Sequence, residues 1–561
     1  MKNYITEQLN TLLHFINTVP NALIYIALLI LIIGIGSFFA YRSKWKLISI
    51  PSILISLAAI GFCIYFFLTP FFTLPLFIVL IVIPSQLSSL AISILVTPSK
   101  KSKSLTKDDT NPFLVPFKTS KRTYYLDLIR GFAIFGAAGS GKTKSGFLPV
   151  IKHCADKGLS GIIYDYKDFE LSELVYYFFR NSNIDVKTIY LTDPDYSHKV
   201  NPIDPVYMNQ TADMESTIKV FISNLAPGGG GSDDSFFVET AQGALAATAW
   251  RLKELHESDP RYKDKCTLPM AAGLLLMNNV ESIAEFIKES NYASIIGAPF
   301  LDSMGSEKQM AAVKATLSGS IKKIMTPEIA NILSKSDFSL RLNDPENPIM
   351  MTLVNNIIYE NVHSPVIATI MNTATRQMSR RDQNPSLLLL DEGSTLKLPN
   401  LARIPATLRS YDIGTVWGLQ DKVQGALMYD ENTTKAVLAN LTVKLFGKAN
   451  DPDTMKFYER FFEIIETQQK SYSQSDNLLN SGDRRVNIST QEKAKHRAQE
   501  FMKLKAGEFF MFDDEGESHK LQFKIPKYEP VKPSPIYNYT KTEITKEFDD
   551  LLTECRTILQ G

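Results

Sequence analysis

A glycine-rich octapeptide near residue 140 has the composition and spacing of a phosphate-binding loop. It fits the pattern Gly-x-x-x-x-Gly-Lys-[Ser/Thr] and follows the apolar run 131–135, which predicts a short buried strand. Glycines let successive backbone N–H groups converge on phosphate oxygens, the lysine neutralises the β- and γ-phosphate charge, and the last hydroxyl can bind Mg²⁺. The eight residues are Gly136, Ala137, Ala138, Gly139, Ser140, Gly141, Lys142 and Thr143.

Two adjacent acids further along the chain could complete a site for nucleoside triphosphate hydrolysis. Asp391 and Glu392 follow four leucines at 387–390, a run typical of a buried central strand that delivers side chains to a ligand-binding edge. We predict that Asp391 joins Thr143 in holding Mg²⁺ and that Glu392 acts as general base for the attacking water. The alternative is a strand that ends in solvated acids, and the phosphate-binding loop in the same chain favours the first interpretation.

Two more side chains are candidates for action on the γ-phosphate. The segment 412–420 predicts another short buried strand, and Gln420 at its end could orient water, because an amide both donates and accepts hydrogen bonds. The alternative for Gln420 is an ordinary position at the start of a helix. Arg409 precedes this strand and could stabilise charge at the γ-phosphate of a neighbouring subunit, although a surface arginine also explains it. The catalytic candidates are therefore Lys142, Glu392, Arg409 and Gln420.

The N-terminal part of the chain is apolar and predicts a membrane anchor. Residues 21–96 are almost uncharged apart from the basic cluster 42–46. Because both this cluster and the lysines at 100–103 should face the cytoplasm, an even number of crossings should separate them. We therefore predict about three transmembrane helices, with a re-entrant hairpin as the alternative for the third segment, which contains two prolines. The segments long enough to cross about 30 Å of hydrocarbon are 22–41, 47–68 and 71–96.

Charge and cysteine content give weaker constraints. The net charge of +1 over 561 residues carries no basic signature of a nucleic-acid-binding protein. The local excess of lysine and arginine at 100–122 favours contact with lipid headgroups over contact with DNA. Four scattered cysteines predict neither a zinc site nor a disulfide framework, which agrees with a reducing cytoplasm.

A long insertion separates the two halves of the candidate site. Lys142 and Asp391 lie 249 positions apart, whereas three strand-and-helix steps need only about 100 residues. The apolar spacing becomes helical over about 211–326, and strand-like sequence resumes at 348–354. We therefore predict an α/β core interrupted by an all-helical domain.

The order of these motifs resembles that of the VirD4/TraG/TraD coupling proteins of type IV secretion systems, over about residues 120–525. The resemblance implies a RecA-like P-loop NTPase core that uses ATP and Mg²⁺, hexamers with nucleotide at subunit interfaces, and Arg409 acting on a neighbouring subunit. The sequence departs from the usual two-span anchor of that family. The resemblance rests on the phosphate-binding loop, Asp165 with Lys167, Asn201 with Pro202, the run 387–393 and the segment 417–420.

The expected fold class is α/β, with a RecA-like P-loop NTPase core, an inserted all-α domain and an N-terminal transmembrane helical anchor. Within the core, the polar segment 468–491 predicts a loop. The expected parts are the transmembrane anchor 1–99, a basic juxtamembrane linker 100–122, the nucleotide-binding domain 123–204 and 335–530, the all-α domain 205–334, and a C-terminal tail with one helix, 531–561.

The expected function is that of a multi-pass ATPase in the bacterial inner membrane, with its ATPase domain in the cytoplasm. It would recruit relaxase-bound single-stranded DNA, effector proteins or both to a type IV secretion channel and power their transfer. Its expected partners are further copies of itself, channel components, the relaxase with its DNA or effectors, and the membrane. One alternative is an FtsK-like double-stranded DNA translocase, which would carry a long linker and a winged-helix domain. The other is a membrane scaffold that binds ATP without turnover, for which Glu392 would be unnecessary.

Overall fold

A computed structural model describes most of the chain beyond residue 109. The described residues are 10, 110–225, 232–399, 401–420, 425, 428–460, 462, 464–473, 485–494, 496–513 and 518–559. The predicted anchor at 22–96 therefore lies outside them, as does the glycine run 227–231. No helix within the described ranges has the length and apolar character needed to cross a membrane.

The strands of the described chain are, in order, β1 (Leu114–Lys118), β2 (Thr123–Asp127), β3 (Phe132–Phe135), β4 (Ser160–Asp165), β5 (Asp185–Tyr190), β6 (Ile349–Val354), β7 (Ser386–Leu390), β8 (Ile413–Leu419), β9 (Val443–Phe446), β10 (Ile464–Ser473), β11 (Arg485–Ala494), β12 (Glu508–Phe512) and β13 (Ser518–Gln522). Nine of them form one sheet in the order β13-β12-β9-β3-β8-β7-β4-β6-β5. The strands from β9 to β5 are parallel, and the hairpin β12–β13 adds to β9 in antiparallel fashion. The sheet is therefore mixed, and together with the helices it gives the described chain an α/β fold.

The central strands are mostly apolar and are buried along their whole length because both faces of the sheet are covered. Every residue of β3, β6, β7 and β8 is buried. Such strands lack the polar alternation of a half-exposed strand. Because β8 pairs with both β3 and β7, the residues that follow these three strands meet at one edge of the sheet, here called the carboxyl edge.

The helices are, in order, α1 (Leu148–Lys157), α2 (Ser172–Phe179), α3 (Thr211–Leu225), α4 (Ser232–Ser258), α5 (Leu268–Met277), α6 (Val280–Lys288), α7 (Asn291–Ile296), α8 (Ala298–Ser303), α9 (Glu307–Ile321), α10 (Pro327–Ile332), α11 (Glu360–Met378), α12 (Ile404–Arg409), α13 (Glu431–Asn440), α14 (Pro452–Glu459), α15 (Ala498–Met502) and α16 (Lys541–Thr557). Between β5 and β6 the described residues form helices and no strand. One hydrophobic core joins these helices to the sheet, since it includes Tyr164 from β4, Phe221 from α3 and Trp250 from α4. The domain limits 205 and 334 stay a prediction.

The loop predicted over 468–491 is wrong where the structure describes it. Strands β10 and β11 pair in antiparallel register, with Gln468 opposite Thr490. The segment has few apolar residues, so the periodicity that predicts strands is absent. Main-chain pairing forms a hairpin without that signal.

The C-terminal segment runs from the sheet to the inserted helices. The backbone N–H of Ile536 donates to the carbonyl of Asp195 at 2.6 Å. Helix α16 then packs on α5 and α10, and its Glu554 pairs with Lys265 at 2.7 Å. On its buried face, Cys555 lies against Gly273 of α5, where an added Cβ would be 2.5 Å from the Cys555 sulfur.

We predict opposite effects for two glycine-to-alanine changes inside helices. Gly273→Ala should lower the free energy of unfolding by about 1–3 kcal/mol, because its methyl group would overpack the contact between α5 and α16. Gly319→Ala in α9 is the matched control. Its methyl group meets no atom within 4 Å, so it should stabilise the fold by about 0.5–1 kcal/mol. Urea unfolding measures both values, and equal effects would contradict the α5–α16 packing.

Candidate nucleotide-binding site

The octapeptide forms a tight loop between β3 and the helix that follows it. Gly139 and Gly141 have φ values of 75° and 93°, in the left-handed region that glycine adopts without steric cost. At Gly136 an added Cβ would lie 2.2 Å from the Ser140 hydroxyl. Steric contact favours glycine at position 136, and the left-handed backbone favours it at positions 139 and 141.

A helical segment begins at the end of the phosphate-binding loop. A π-helical turn over Lys142–Phe147 comes first, with Gly141 as its N-cap, and α1 continues it. Lys142 and Thr143 thus belong to the first turn of a continuous helical segment. The free N–H groups and the dipole of such a turn attract phosphate.

A second segment, which the sequence did not predict, contacts the phosphate-binding loop. The backbone N–H of Gly507, just before β12, donates to the carbonyl of Ser140 at 2.8 Å. Gly507 has a φ of 81°, and an added Cβ at Gly141 would lie 2.6 Å from the Gly507 nitrogen. A lone Ala-Gly pair before a strand carries no signal that it contacts a loop over 360 positions away.

Asp391 and Glu392 follow β7 and reach the carboxyl edge close to this loop. Lys142 Nζ lies 3.0 Å from Glu392 Oε1, and both side chains are buried. Among the described residues, neither carboxylate oxygen of Asp391 has a hydrogen-bond partner, and Glu392 Oε2 has none either. Burial raises the pKa of Asp391 to about 7, and the Lys167 ammonium opposes that rise.

These residues fit a bound Mg²⁺ ion. A buried carboxylate without a hydrogen-bond donor is unfavourable, and Asp391 supplies the hard oxygen ligands that this ion prefers. Thr143 follows Lys142 in the same helical turn. Asp391 and Thr143 stay the predicted ligands.

Two glycines allow the strand that carries the acids to approach β8 closely. An added Cβ at Gly418 would lie 2.1 Å from the Asp391 carbonyl oxygen, and one at Gly393 would lie 1.4 Å from Trp417 Nε1. The N–H of Gly393 donates to the carbonyl of Gly418 at 3.0 Å. This contact fixes the turn at Asp391 and Glu392 against β8, the strand next to the phosphate-binding loop.

The structure brings Gln420 to the loop but not Arg409. Gln420 follows β8, and the N–H of Gly136 donates to the carbonyl of the preceding Leu419 at 3.1 Å. Arg409 ends α12 before β8 begins and is exposed. A seven-residue strand separates the two ends, a span of roughly 20 Å. The proposed role of Arg409 in a neighbouring subunit stays a prediction.

The four residues named from the family resemblance have different environments. The Asp165 carboxylate accepts hydrogen bonds from the Ser172 N–H and hydroxyl at 2.8 and 2.7 Å, so it caps the start of α2. Asn201 donates to the Cys266 carbonyl at 2.8 Å. Together with Pro202, whose carbonyl accepts a hydrogen bond from α11, it joins the sheet to the helices. Lys167 and Asp165 also act on the site through their charges, since the lysine lowers the pKa of Asp391 and the aspartate raises it.

The fold and the site define an α/β protein with a P-loop nucleotide-binding core. The chain belongs to the family described as type IV secretory system conjugative DNA transfer, whose sequence profile matches residues 100–516. The resemblance to coupling proteins is thereby confirmed. A search of curated proteins gave no significant match.

Solved structures of the bacterial conjugative coupling protein TrwB share this fold. Its unbound form, which lacks 70 N-terminal residues, has a TM-score of 0.58 and 16% identity, and the match covers 76% of this chain and 92% of that one. The plasmid coupling protein TrwB with ADP and Mg²⁺ has a TM-score of 0.54 and 15% identity, covering 73% and 88%. TrwB with a non-hydrolysable ATP analogue has a TM-score of 0.55 and 15% identity, covering 73% and 89%.

We predict that alanine is tolerated at one loop glycine and not at another. Each change forces a left-handed alanine, at about 1–2 kcal/mol. Gly139→Ala should cost no more than that, since an added Cβ meets no atom within 4 Å. Gly141→Ala should cost more and weaken ATP binding, because its Cβ would displace Gly507. Thermal unfolding and titration with ATP measure both effects, and equal losses would contradict the contact between the loop and Gly507.

Proposed function

We propose that this protein is the ATP-hydrolysing coupling protein of a type IV secretion system. The observation that carries the proposal is the buried pair of Lys142 and Glu392 beside the Asp391 carboxylate, at the end of a phosphate-binding loop. Membership of the conjugative DNA transfer family supports it. So do the TrwB structures, which share the fold and contain ADP with Mg²⁺ or an ATP analogue.

The ion pair gives each residue a defined part in hydrolysis. While Lys142 holds Glu392, the ammonium donates a hydrogen bond to Oε1 of the carboxylate. The γ-phosphate of ATP competes for the same ammonium, so its arrival releases Glu392 to accept a proton from the attacking water. Asp391 and Thr143 would hold Mg²⁺, which supplies neutralisation of the charge between the β- and γ-phosphates. The half-buried Gln420 is next to the loop and would orient the water.

The complete catalytic site would form between two subunits of a hexamer. Arg409 is exposed and lies at the opposite end of β8 from the loop. A guanidinium in that position is available to another copy, where it would stabilise charge on the γ-phosphate.

The proposed cellular role rests on the family rather than on the described residues. The protein would be a multi-pass protein of the bacterial inner membrane, with the nucleotide-binding core and the all-α domain in the cytoplasm. It would recruit relaxase-bound single-stranded DNA, effector proteins or both to the channel and drive their transfer. Neither an FtsK-like translocase nor a scaffold without turnover gains support from a particular contact in the described chain.

We predict that Glu392→Gln abolishes turnover but not ATP binding. The amide keeps the size of the side chain and cannot accept the proton, so kcat should fall by about 10²–10⁴-fold. Lys142→Ala should lose both binding and turnover, because phosphate charge and Glu392 each lose their partner. The measurements are phosphate release and fluorescent ATP binding by the full-length protein, alone and with single-stranded DNA.

The matched control for the lysine is Lys152→Ala, since Lys152 is an exposed residue of α1 that pairs with Asp156. It should leave binding and turnover unchanged. Normal turnover in Glu392→Gln would contradict the assignment of Glu392 as general base. A hydrolysis site between subunits requires an oligomer, so the wild-type protein is also assayed after its subunits have been crosslinked. ATP binding without turnover in that sample would favour a membrane scaffold that binds ATP without hydrolysing it.

We predict that Arg409 acts on a neighbouring copy. Arg409→Ala and Lys142→Ala should each lack turnover, whereas mixed oligomers of the two should regain part of it, because some interfaces then contain one intact loop and one intact arginine. Arg403→Ala is the control, since Arg403 is also exposed and stands at the other end of α12. Wild-type turnover in Arg409→Ala, or no recovery in the mixture, would contradict the role.

A further inference from the structure

A chain of three hydrogen bonds ends at the main-chain carbonyl of Glu392, whereas Lys142 contacts the side-chain carboxylate of the same residue. Asn355 Nδ2 donates to the Tyr164 hydroxyl at 3.0 Å, and Tyr164 Oη lies 2.8 Å from Thr395 Oγ1. Thr395 in turn donates its hydroxyl hydrogen to the Glu392 carbonyl at 2.7 Å. The chain thus links the ends of β6, β4 and β7 to the main chain of the candidate general base.

The donors and acceptors of this chain are all determined. The single hydrogen of the Thr395 hydroxyl goes to a carbonyl, which can only accept. Tyr164 must therefore donate to Thr395, and it accepts from Asn355. All three bonds point toward Glu392. Bonds that point in one direction polarise each other, and their effect is larger in a buried, low-dielectric environment.

The chain begins at a rigid point of the sheet. Asn355 is fully buried and donates a second hydrogen bond to Ser364 in α11 at 3.2 Å. Its N–H donates to the Asp165 carbonyl at 2.8 Å, and its own carbonyl accepts from Asp168 at 3.2 Å. Its side-chain oxygen accepts from the N–H of Asn356 at 2.9 Å. Since all its polar groups are engaged, Asn355 cannot rotate without breaking several bonds.

Tyr164 stays a donor under ordinary conditions. Its side chain is fully buried in β4, and burial raises the pKa of its hydroxyl well above the usual range. The residues after β7 form irregular turns rather than a helix or strand. The main chain of Glu392 therefore depends on contacts such as the Thr395 bond for its position.

We propose that Asn355, Tyr164 and Thr395 are positioning residues for the Glu392 carboxylate. They hold its main chain still, so that the carboxylate is aimed at the attacking water once the γ-phosphate has taken Lys142. This inference rests on the proposed function, because it takes Glu392 as the general base. A displacement of about 1 Å in a catalytic group can reduce the rate by roughly 100-fold, so loss of the chain acts on catalysis more than on binding.

The decisive variant is Tyr164→Phe in the full-length protein, which removes two bonds of the chain with little change in volume. The value of kcat for ATP should fall by about 10- to 100-fold, while KM and the dissociation constant for ATP stay within about twofold. Thr395→Val should reproduce this loss and Thr395→Ser should retain most of the rate, because serine keeps the hydroxyl. Thr395 is only partly buried, so this pair keeps the test valid if Tyr164→Phe fails to fold.

Tyr176, a tyrosine of helix α2, provides the matched control. The Tyr176 hydroxyl lies 2.7 Å from Thr188 Oγ1, in a bond of the same kind that does not lead to Glu392. Tyr176→Phe should lower the melting temperature about as much as Tyr164→Phe and leave kcat unchanged. The combination of Tyr164→Phe with Thr395→Val should lose no more rate than either change alone, because both cut one chain.

The outcomes separate this inference from the function on which it rests. If the wild-type protein hydrolyses ATP and Glu392→Gln does not, an unchanged kcat in Tyr164→Phe overturns the positioning role alone. Equal kcat losses in Tyr164→Phe and Tyr176→Phe also overturn it, since the loss would then reflect stability. If Glu392→Gln retains normal turnover, the general base is wrong and both proposals fall together.

Discussion

The buried ion pair between Lys142 and Glu392 is the interaction on which the site depends. Two charges taken out of water cost more than their attraction returns unless they lie in good geometry, and at 3.0 Å each neutralises the other. The pair joins the phosphate-binding loop to the acidic turn after β7, two elements with no strand pairing between them. It also holds the proposed general base, Glu392, through Lys142, which is the residue that a bound phosphate would contact.

The order of strands in the sheet makes this pair possible. Because β8 stands between β3 and β7, the strands that lead into the loop and the acidic turn are two strand spacings apart, each of about 4.8 Å. Gly418 has no side chain to keep the Asp391 carbonyl away from β8. A bulkier residue there would move the acidic turn outward, beyond reach of Lys142. Gly418 in β8 thus keeps the acidic turn close enough for the Lys142 side chain to reach Glu392.

Sequence patterns predicted those parts of the molecule whose signal is local. The loop at Gly136, the leucine run before Asp391 and the helices between β5 and β6 each have their own composition or period, and the structure places the first two at one edge. The Lys142–Glu392 bond, the support from Gly507 and the chain through Tyr164 join residues that are far apart in the sequence. These contacts depend on which strands become neighbours, and the sequence of a single segment does not determine the order of the strands. The hairpin β10–β11 was missed for a different reason, since main-chain pairing needs no apolar period.

The position of Arg409 constrains how the whole assembly could work. It precedes β8 whereas Gln420 follows the same strand, so the two lie at opposite edges of one sheet. No change of side-chain rotamer spans roughly 20 Å, because an arginine side chain is about 7 Å long. If this arginine meets a γ-phosphate, the phosphate belongs to another copy of the chain. Such a site is complete only when subunits pack with the amino-terminal edge of one sheet facing the carboxyl edge of the next. That head-to-tail arrangement generates a ring when its rotation closes, and it would tie hydrolysis in each subunit to the orientation of its neighbour.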